Sequence, residues 1–98
     1  MIDKRYEIVE TLESGGYDWY TIAIARFEDG TYWWTDESGC SCHGPTWESD
    51  WEPETDWEPL NDSTFPRLAK TAVDQASNWN WTAADANQFI ATASRYLR

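Results

Sequence analysis

Basic residues are missing from the middle of the chain. Residues 27–66 contain eleven Asp or Glu and no Lys or Arg, whereas residues 1–26 carry a net charge of −2 and residues 67–98 a net charge of +2. The whole imbalance of −11 therefore lies in one segment. Because phosphate backbones and anionic membranes attract positive charge, this excess of acid argues against direct binding to nucleic acid or to a membrane. It predicts a cation or a basic protein surface as the partner.

The residues of metal and redox chemistry are also scarce. The chain has one histidine, His43, and two cysteines, Cys40 and Cys42. Structural zinc usually takes four ligands from two separated pairs, so a zinc site here would need a carboxylate to complete it. We predict no metal and no cofactor, with both cysteines as thiols in a reducing compartment. A small metal-binding module built on these three residues stays open as an alternative.

Recognisable catalytic motifs are absent as well. The sequence has no glycine-rich phosphate loop, no Ser-His-Asp set and no metal-hydrolase motif. A thiol beside His43 could suggest a nucleophile and its base, but the surrounding carboxylates disfavour the thiolate that such a mechanism needs. The sequence therefore predicts a protein that is not an enzyme and has no catalytic residues.

Long apolar runs are missing too. No run is long enough to span a membrane, and the N-terminal residues lack the apolar stretch of a secretory signal, so we expect a cytoplasmic protein. The length of 98 residues suits a single domain. Eight Trp, five Tyr and three Phe argue against disorder, although the mean hydropathy is only −0.74.

The first third of the chain has the pattern of strands. Residues 6–12 are β-prone, residues 17–27 are apolar on both faces as in a central strand, and residues 31–35 form a returning strand. Between the last two, Asp29 and Gly30 predict a hairpin with a type I′ turn. On the first strand, one face is expected to carry Tyr6, Ile8 and Leu12.

The last third has helical spacing. From Phe65, one apolar stripe contains Leu68, Ala69, Ala72, Val73 and Ala76. Thr82 is expected to cap a second helix, with Asp85 completing a capping box. The buried stripe of that helix is predicted to contain Ala86, Phe89, Ile90, Ala93 and Leu97.

The middle segment contains a repeated acidic and aromatic motif. Asp-Trp-Glu-Pro occurs at residues 50–53 and again at 56–59, and every even position from Asp50 to Glu58 is acidic. Residues before proline are extended, and an extended chain places alternate side chains on opposite faces. The motif therefore predicts a ribbon with carboxylates on one face and Trp and Pro on the other. The predicted partner-binding residues are Trp47, Glu48, Asp50, Trp51, Glu52, Glu54, Asp56, Trp57 and Glu58.

Two interpretations of this ribbon stay open. In one, the tryptophans pack the ribbon onto the sheet and the carboxylates form a solvated rim. In the other, the carboxylates contact a basic surface and exposed tryptophans act as anchors. A ribbon has acids about 6.6 Å apart, roughly half the linear charge density of a DNA strand, so it could also act as a nucleic-acid mimic. Alternating acids could also supply oxygen ligands to calcium, although the glycine of an EF-hand loop is missing.

Residues 35–48 resemble a family of small proteins from bacteriophages of actinobacteria. Members of that family are similar in having a β-hairpin that ends in an aromatic strand, followed by Gly-Cys-Ser-Cys, a proline, an aromatic residue and a glutamate. The resemblance covers about residues 17–48, and the family often has proline where this chain has His43. The function of the family is unknown. The resemblance therefore implies an origin, as a phage-encoded cytoplasmic protein of an infected bacterial host, but no mechanism.

Together these features predict one α+β domain over residues 1–98. A three-stranded antiparallel β-meander occupies residues 1–35, a long acidic Trp-rich loop residues 36–62, and two helices packed on the sheet residues 63–98. The predicted function is non-enzymatic binding to a basic surface of a host or defence protein, as an inhibitor or a nucleic-acid mimic. A structural or accessory phage protein is the other alternative, and self-association stays open.

Overall fold

Three long antiparallel strands form the centre of the molecule. The computed structural model describes residues 6–40, 44–48 and 55–97. Strand β1 (Tyr6–Ser14) pairs with β2 (Asp18–Phe27), and β2 pairs with β3 (Tyr32–Cys40). The predicted meander is therefore confirmed, although β3 continues five residues beyond its expected end at residue 35.

A fourth strand lies inside the segment that was expected to be a loop. Strand β4 (Glu58–Pro59) pairs antiparallel with β3, opposite Trp34 and Trp33. The strand order is β1-β2-β3-β4, so β2 is central and β1 is an edge strand. The sheet therefore has four strands, three of them long.

The β2–β3 hairpin forms with a different turn from the one predicted. A type I′ turn needs positive φ at two residues, but here only Gly30 has it, at +87°. The Gly30 amide donates to the Phe27 carbonyl at 2.9 Å, and the Phe27 amide donates to the Thr31 carbonyl at 2.8 Å. This is a three-residue loop, which needs a left-handed residue at Gly30 alone.

Two helices cover one face of the sheet. Helix α1 spans Phe65–Ala76 and helix α2 spans Ala83–Ser94, and the predicted capping box between Thr82 and Asp85 is present at α2. We call the covered side of the sheet the helix face. The core on that face contains Leu12, Tyr20, Ile22, Ile24, Trp34, Leu60, Leu68, Ala72, Trp81, Ala86, Phe89 and Ala93. The α+β fold with both helices on the sheet is confirmed, but Val73 leaves the predicted stripe and is exposed.

A bulge in β1 changes which side chains share a face. The pairing with β2 shifts between Ile8 and Glu10, so one extra residue is accommodated there. Since side chains alternate along a strand, this shift reverses the parity. Ile8 lies opposite Ala25, whereas Leu12 lies opposite Ile22 on the helix face. The expectation that Tyr6, Ile8 and Leu12 share one face is therefore wrong.

The opposite side of the sheet, which we call the outer face, is also buried. Ala23 and Ala25 of β2 are fully buried, and Thr21 and Thr35 are nearly so. The central strand is thus covered on both sides, as its apolar pattern predicted. Within the described part of the chain, no helix is long and apolar enough to cross a membrane.

Candidate functional site

The acidic Trp-rich segment lies on the outer face of the sheet. Trp57 makes an edge contact with Tyr6 at 5.2 Å between ring centroids and another with Phe27 at 6.1 Å. Trp47, in a short 3-10 helix (Thr46–Glu48), lies 5.9 Å from Trp57. These rings belong to one aromatic cluster, and Trp33 extends it through a 5.4 Å contact with Phe27.

Small residues on the sheet allow this aromatic layer to form. Ala23 and Ala25 point toward the outer face because they alternate with Ile22 and Ile24 of the core. A methyl side chain leaves room for a bulky ring above the strand, which explains how both alanines are fully buried on a face without helices. The segment is therefore a third layer of the fold.

Hydrogen bonds hold the segment in place at several points. The Glu37 carboxylate accepts from the Thr46 amide at 2.9 Å and also from the Thr46 hydroxyl. The Thr46 hydroxyl also lies 2.5 Å from that of Thr55, which links the two described ends of the segment. The Thr35 hydroxyl donates to the Asp56 carbonyl at 3.1 Å. The backbone on either side of residues 49–54 is thus fixed to β3.

The described part of the ribbon alternates as predicted. Thr55 and Trp57 face the protein and are half-buried, whereas Asp56 is exposed. Glu58 lies on the other side from Trp57, because it pairs with Trp34 in the register of β3 and β4. The extended conformation expected before Pro59 is confirmed by its place in a strand.

The predicted site residues have unequal surroundings. Trp47 is buried, with 7% of its surface exposed, and Trp57 is half-buried, so neither indole projects freely into solvent. Glu48 and Asp56 are exposed. The remaining predicted residues Asp50, Trp51, Glu52 and Glu54 lie outside the described residues. The structure thus brings together Trp47 and Trp57 as packing residues and leaves Glu48 and Asp56 as accessible carboxylates.

Glu58 is neutralised by a base from the chain itself. Its carboxylate pairs with the Arg67 guanidinium, which lies over the Trp34 ring at 5.3 Å from the centroid. The hydrogen bond that Arg67 donates to the Glu58 carboxylate raises the pKa of Arg67, and the charges of Glu58 and Asp36 add to this effect. Glu58 therefore stabilises the junction between β4 and α1 and is a poor candidate for contact with another protein.

Two further ion pairs use most of the remaining described bases. Arg26 contacts Glu7 at 2.8 Å, and Lys70 contacts Asp74 at 2.5 Å along one turn of α1. The described ranges contain fourteen Asp or Glu but only four Lys or Arg. No base within these ranges pairs with Glu48 or Asp56. The charges of Glu48 and Asp56 are therefore not compensated by a base of the described ranges.

A cleft that the sequence did not predict borders the segment. It has a volume of about 420 Å³ and lies where the end of β1 and the start of β2 meet residues 44–48. Its walls include Glu13, Ser14, Trp19, Thr21, Pro45 and Glu48. Glu13 and Glu48 are far apart in sequence, and only the pairing of the strands brings them to one place. No local motif could have indicated this site.

Cys40 differs from the sequence expectation. It is disulfide-bonded, so the prediction of a free thiol is wrong at this position. Its sulfur is then unavailable as a thiolate ligand for zinc. Cys42, the other cysteine of the chain, and His43 lie outside the described residues. In the ranges that are described, no three His, Cys, Asp or Glu side chains come together as a group that could hold a metal ion.

Comparisons with known proteins add no relative to these observations. No family model, curated protein or solved structure matches the chain. The resemblance of residues 35–48 to actinobacteriophage proteins therefore stays a prediction from the sequence.

Proposed function

We propose that the protein is a non-catalytic binding protein whose exposed carboxylates contact a basic surface of another protein. The observation that carries this proposal is the two-sided arrangement of the acidic segment. Its aromatic side packs on the sheet, and its acidic side, with Glu48 and Asp56, faces solvent. Residues that must be exposed to bind are thereby separated from residues that must be buried to fold.

The attachment of the segment supports a role in recognition. A hydrogen bond from Thr35 fixes the backbone at Asp56, and one from the Thr46 amide to Glu37 fixes it at Thr46, on either side of residues 49–54. A carboxylate on a fixed backbone loses less conformational freedom on binding than one on a mobile chain. The exposed acids are therefore presented at low entropic cost.

The charge distribution supports a basic partner. Arg26, Arg67 and Lys70 are each paired with an acid of this chain. The unpaired acids create a negative potential, which attracts a positively charged surface and repels nucleic acid. The expected source of the partner, a bacterial host infected by a phage, comes from the sequence resemblance alone.

The first test uses a fluorescein-labelled peptide rich in arginine and lysine. We expect binding, measured by fluorescence anisotropy, to be tighter at about 0.1 M salt than at about 1 M, because the Debye length falls from about 10 Å to about 3 Å. Absence of binding at low salt contradicts the proposal. Capture from host lysate at both salt concentrations, with duplex DNA as competitor, then tests nucleic-acid mimicry.

A pair of charge reversals localises the surface. Asp56→Lys should weaken peptide binding about tenfold, since a like charge placed in the contact costs binding energy. Asp62→Lys is the matched control, because Asp62 is also exposed and lies outside the predicted contact residues. The substitution changes the net charge by the same amount as Asp56→Lys. Equal weakening by both variants contradicts the proposed surface. Unfolding of the Asp56 variant at a lower urea concentration supports the accessory alternative, in which the segment only packs.

A further inference from the structure

A groove lies between strand β1 and helix α2. Its volume is about 290 Å³, and its lining includes residues 10–13 of β1 and Asp85, Gln88 and Thr92 of α2. These helix residues follow one another at intervals of three and four positions, so they share one side of α2. The groove is therefore bounded by the strand on one side and by the helix on the other.

The floor of the groove belongs to the core. Leu12, Trp81 and Phe89 line it, and each is more than nine-tenths buried, so they shape the groove but offer a ligand little apolar surface. The Asn80 amide donates to the Ser14 hydroxyl at 3.2 Å, which holds the start of α2 beside the end of β1. The groups that a ligand can reach are therefore those at the rim: the edge of the strand and the exposed side chains.

The rim on the strand side contains backbone groups that β2 does not use. Strand β1 is first in the order β1-β2-β3-β4, so it has a neighbour on one side only, and alternate residues of such a strand direct N–H and C=O away from that neighbour. Within the described ranges, no backbone hydrogen bond joins residues 6–14 to any element other than β2. Residues 10–13 are consecutive and alternate between the two faces, so a space that touches all four also touches the backbone between them. The groove therefore opens onto the free edge of the sheet.

Charge restricts what can occupy this edge. Glu10 is half-buried and Glu13 is exposed, and neither pairs with a Lys or Arg of the described ranges. Asp85 adds a third acid from α2, where its carboxylate also accepts from the Thr82 amide at 3.1 Å. A second copy of this chain is a poor occupant, because pairing β1 with β1 opposes like charges and each copy has a net charge of −11. A strand that carries Lys or Arg meets opposite charge instead.

We propose that the groove between β1 and α2 binds an extended basic segment of a partner protein, which joins the sheet as a further strand beside β1. Main-chain hydrogen bonds to the free edge supply the affinity, and lysines or arginines beside Glu10 and Glu13 supply the selectivity. This inference goes beyond the proposed function, because it depends on the backbone of β1 and on neither Glu48 nor Asp56.

The probe is a peptide of alternating lysine and valine, acetylated and amidated at its ends. It is titrated into the full chain and followed by two-dimensional ¹H–¹⁵N NMR. We expect saturable shifts of the amides of residues 10–13 and slower hydrogen exchange at alternate amides of β1, because strand pairing gives these amides acceptors. Absence of saturable shifts in β1 overturns the proposal.

The matched control is the same peptide with every backbone nitrogen methylated, which keeps the charges but removes the donors. It should bind at least about tenfold more weakly, because several main-chain hydrogen bonds are lost. Equal binding of the two peptides means that charge alone attracts them and overturns strand addition. This comparison uses the parent chain, so it does not depend on the folding of any variant.

A pair of double variants tests the assigned charges. Glu10→Gln/Glu13→Gln keeps the side-chain shapes and should weaken binding of the lysine peptide about tenfold at about 0.1 M salt, because it removes the opposite charges beside the strand. Asp56→Asn/Asp62→Asn makes the same change in net charge at exposed positions outside the groove and should leave binding within about twofold, since distant charges are screened. Equal weakening by the two variants overturns the assignment of the groove.

The positions of the shifts distinguish the groove from the other possible surfaces. If the lysine peptide shifts the amides of residues 55–58 and leaves β1 unchanged, the acidic segment is the binding surface and strand addition is wrong. If the amides of β1 shift with rising protein concentration in the absence of peptide, a second copy of the chain is the occupant, which also overturns the proposal.

Discussion

Replacement of Trp47 by alanine tests whether the acidic segment is part of the fold. Trp47 is 93% buried, since 7% of its surface is exposed, and it contacts Trp57 over the outer face. A buried aromatic side chain covers about 150–250 Å², which at about 25 cal/mol per Å² corresponds to roughly 4–6 kcal/mol. Because alanine still covers part of this surface, we expect a cost of about 3–5 kcal/mol, the usual range for replacing a buried aromatic residue by alanine. Small domains have unfolding free energies of about 5–15 kcal/mol, so Trp47→Ala should remove a large part of the stability.

The assay is urea unfolding followed by far-ultraviolet circular dichroism, which does not depend on the fluorescence of the mutated residue. Tyr17→Ala is the control, because Tyr17 is 80% exposed and its loss should change the free energy of unfolding by less than about 0.5 kcal/mol. Trp47→Phe should fall between these values, since it keeps an aromatic ring. If Trp47→Ala unfolds within about 1 kcal/mol of the parent, the indole is not structural and the packing argument fails.

Two further predictions concern the helix cap and the response to alkaline pH. Thr82→Ala should lower the free energy of unfolding by about 1 kcal/mol in the same urea assay, because the Thr82 hydroxyl accepts from the Asp85 amide at 3.1 Å. Thr82→Ser keeps a hydroxyl at this position and should retain most of that stability. Burial, together with the hydrogen bond and charge of Asp36, raises the pKa of Tyr20 in the folded protein. Because the unfolded chain loses the Tyr20 proton at a lower pH than the folded protein does, the free energy of unfolding does not depend on Tyr20 ionisation below the ordinary tyrosine pKa near 10. As pH rises from there toward the folded pKa, ionisation favours the unfolded chain, so stability should fall above about pH 10. Absorbance at 295 nm should show one fewer tyrosine that ionises only on unfolding in a Tyr20→Phe variant than in the parent, and an unchanged number contradicts the assignment.

The sequence was sufficient to predict the main architecture, because it rests on local periodicity. The alternation on both faces of residues 17–27 indicated a central strand, and helical spacing indicated α1 and α2. Within α1, however, Val73 is exposed although it follows the apolar spacing. The buried residues of α1 are Leu68 and Ala72. The apolar stripe predicted from the sequence is wider than the part of the helix that packs against the core, so a residue at its edge, such as Val73, is exposed.

Features that depend on a one-residue shift in the pairing of β1 with β2 could not be predicted from the sequence. The shift between Ile8 and Glu10 reverses the faces of β1, yet the residues on both sides of it are β-prone. Only the pairing with β2 shows where the extra residue lies. The cleft depends on the same pairing, because Glu13 reaches the row of Thr21 and Glu37 only after the bulge has shifted the strand.

The acidic segment shows why its two interpretations could not be separated from the sequence. An alternating ribbon is compatible with both interpretations. The pattern places aromatic and acidic side chains on opposite faces, but it does not indicate which face is covered by the rest of the protein. For the described part, the alanines of β2 indicate which face is covered. Ala23 and Ala25 leave room for aromatic rings on the outer face, where larger side chains would exclude them. Burial of Trp47 and Trp57 then leaves Glu48 and Asp56 as the accessible members of the motif.

This division has a consequence for how such a protein could acquire specificity. Positions that pack on the sheet are constrained by stability, because an enlarged or truncated side chain there costs several kcal/mol. Exposed acidic positions such as Asp56 carry no such constraint, and substitution there changes charge while the core is unaffected. A basic partner selected by the acidic side could therefore change without any change in fold.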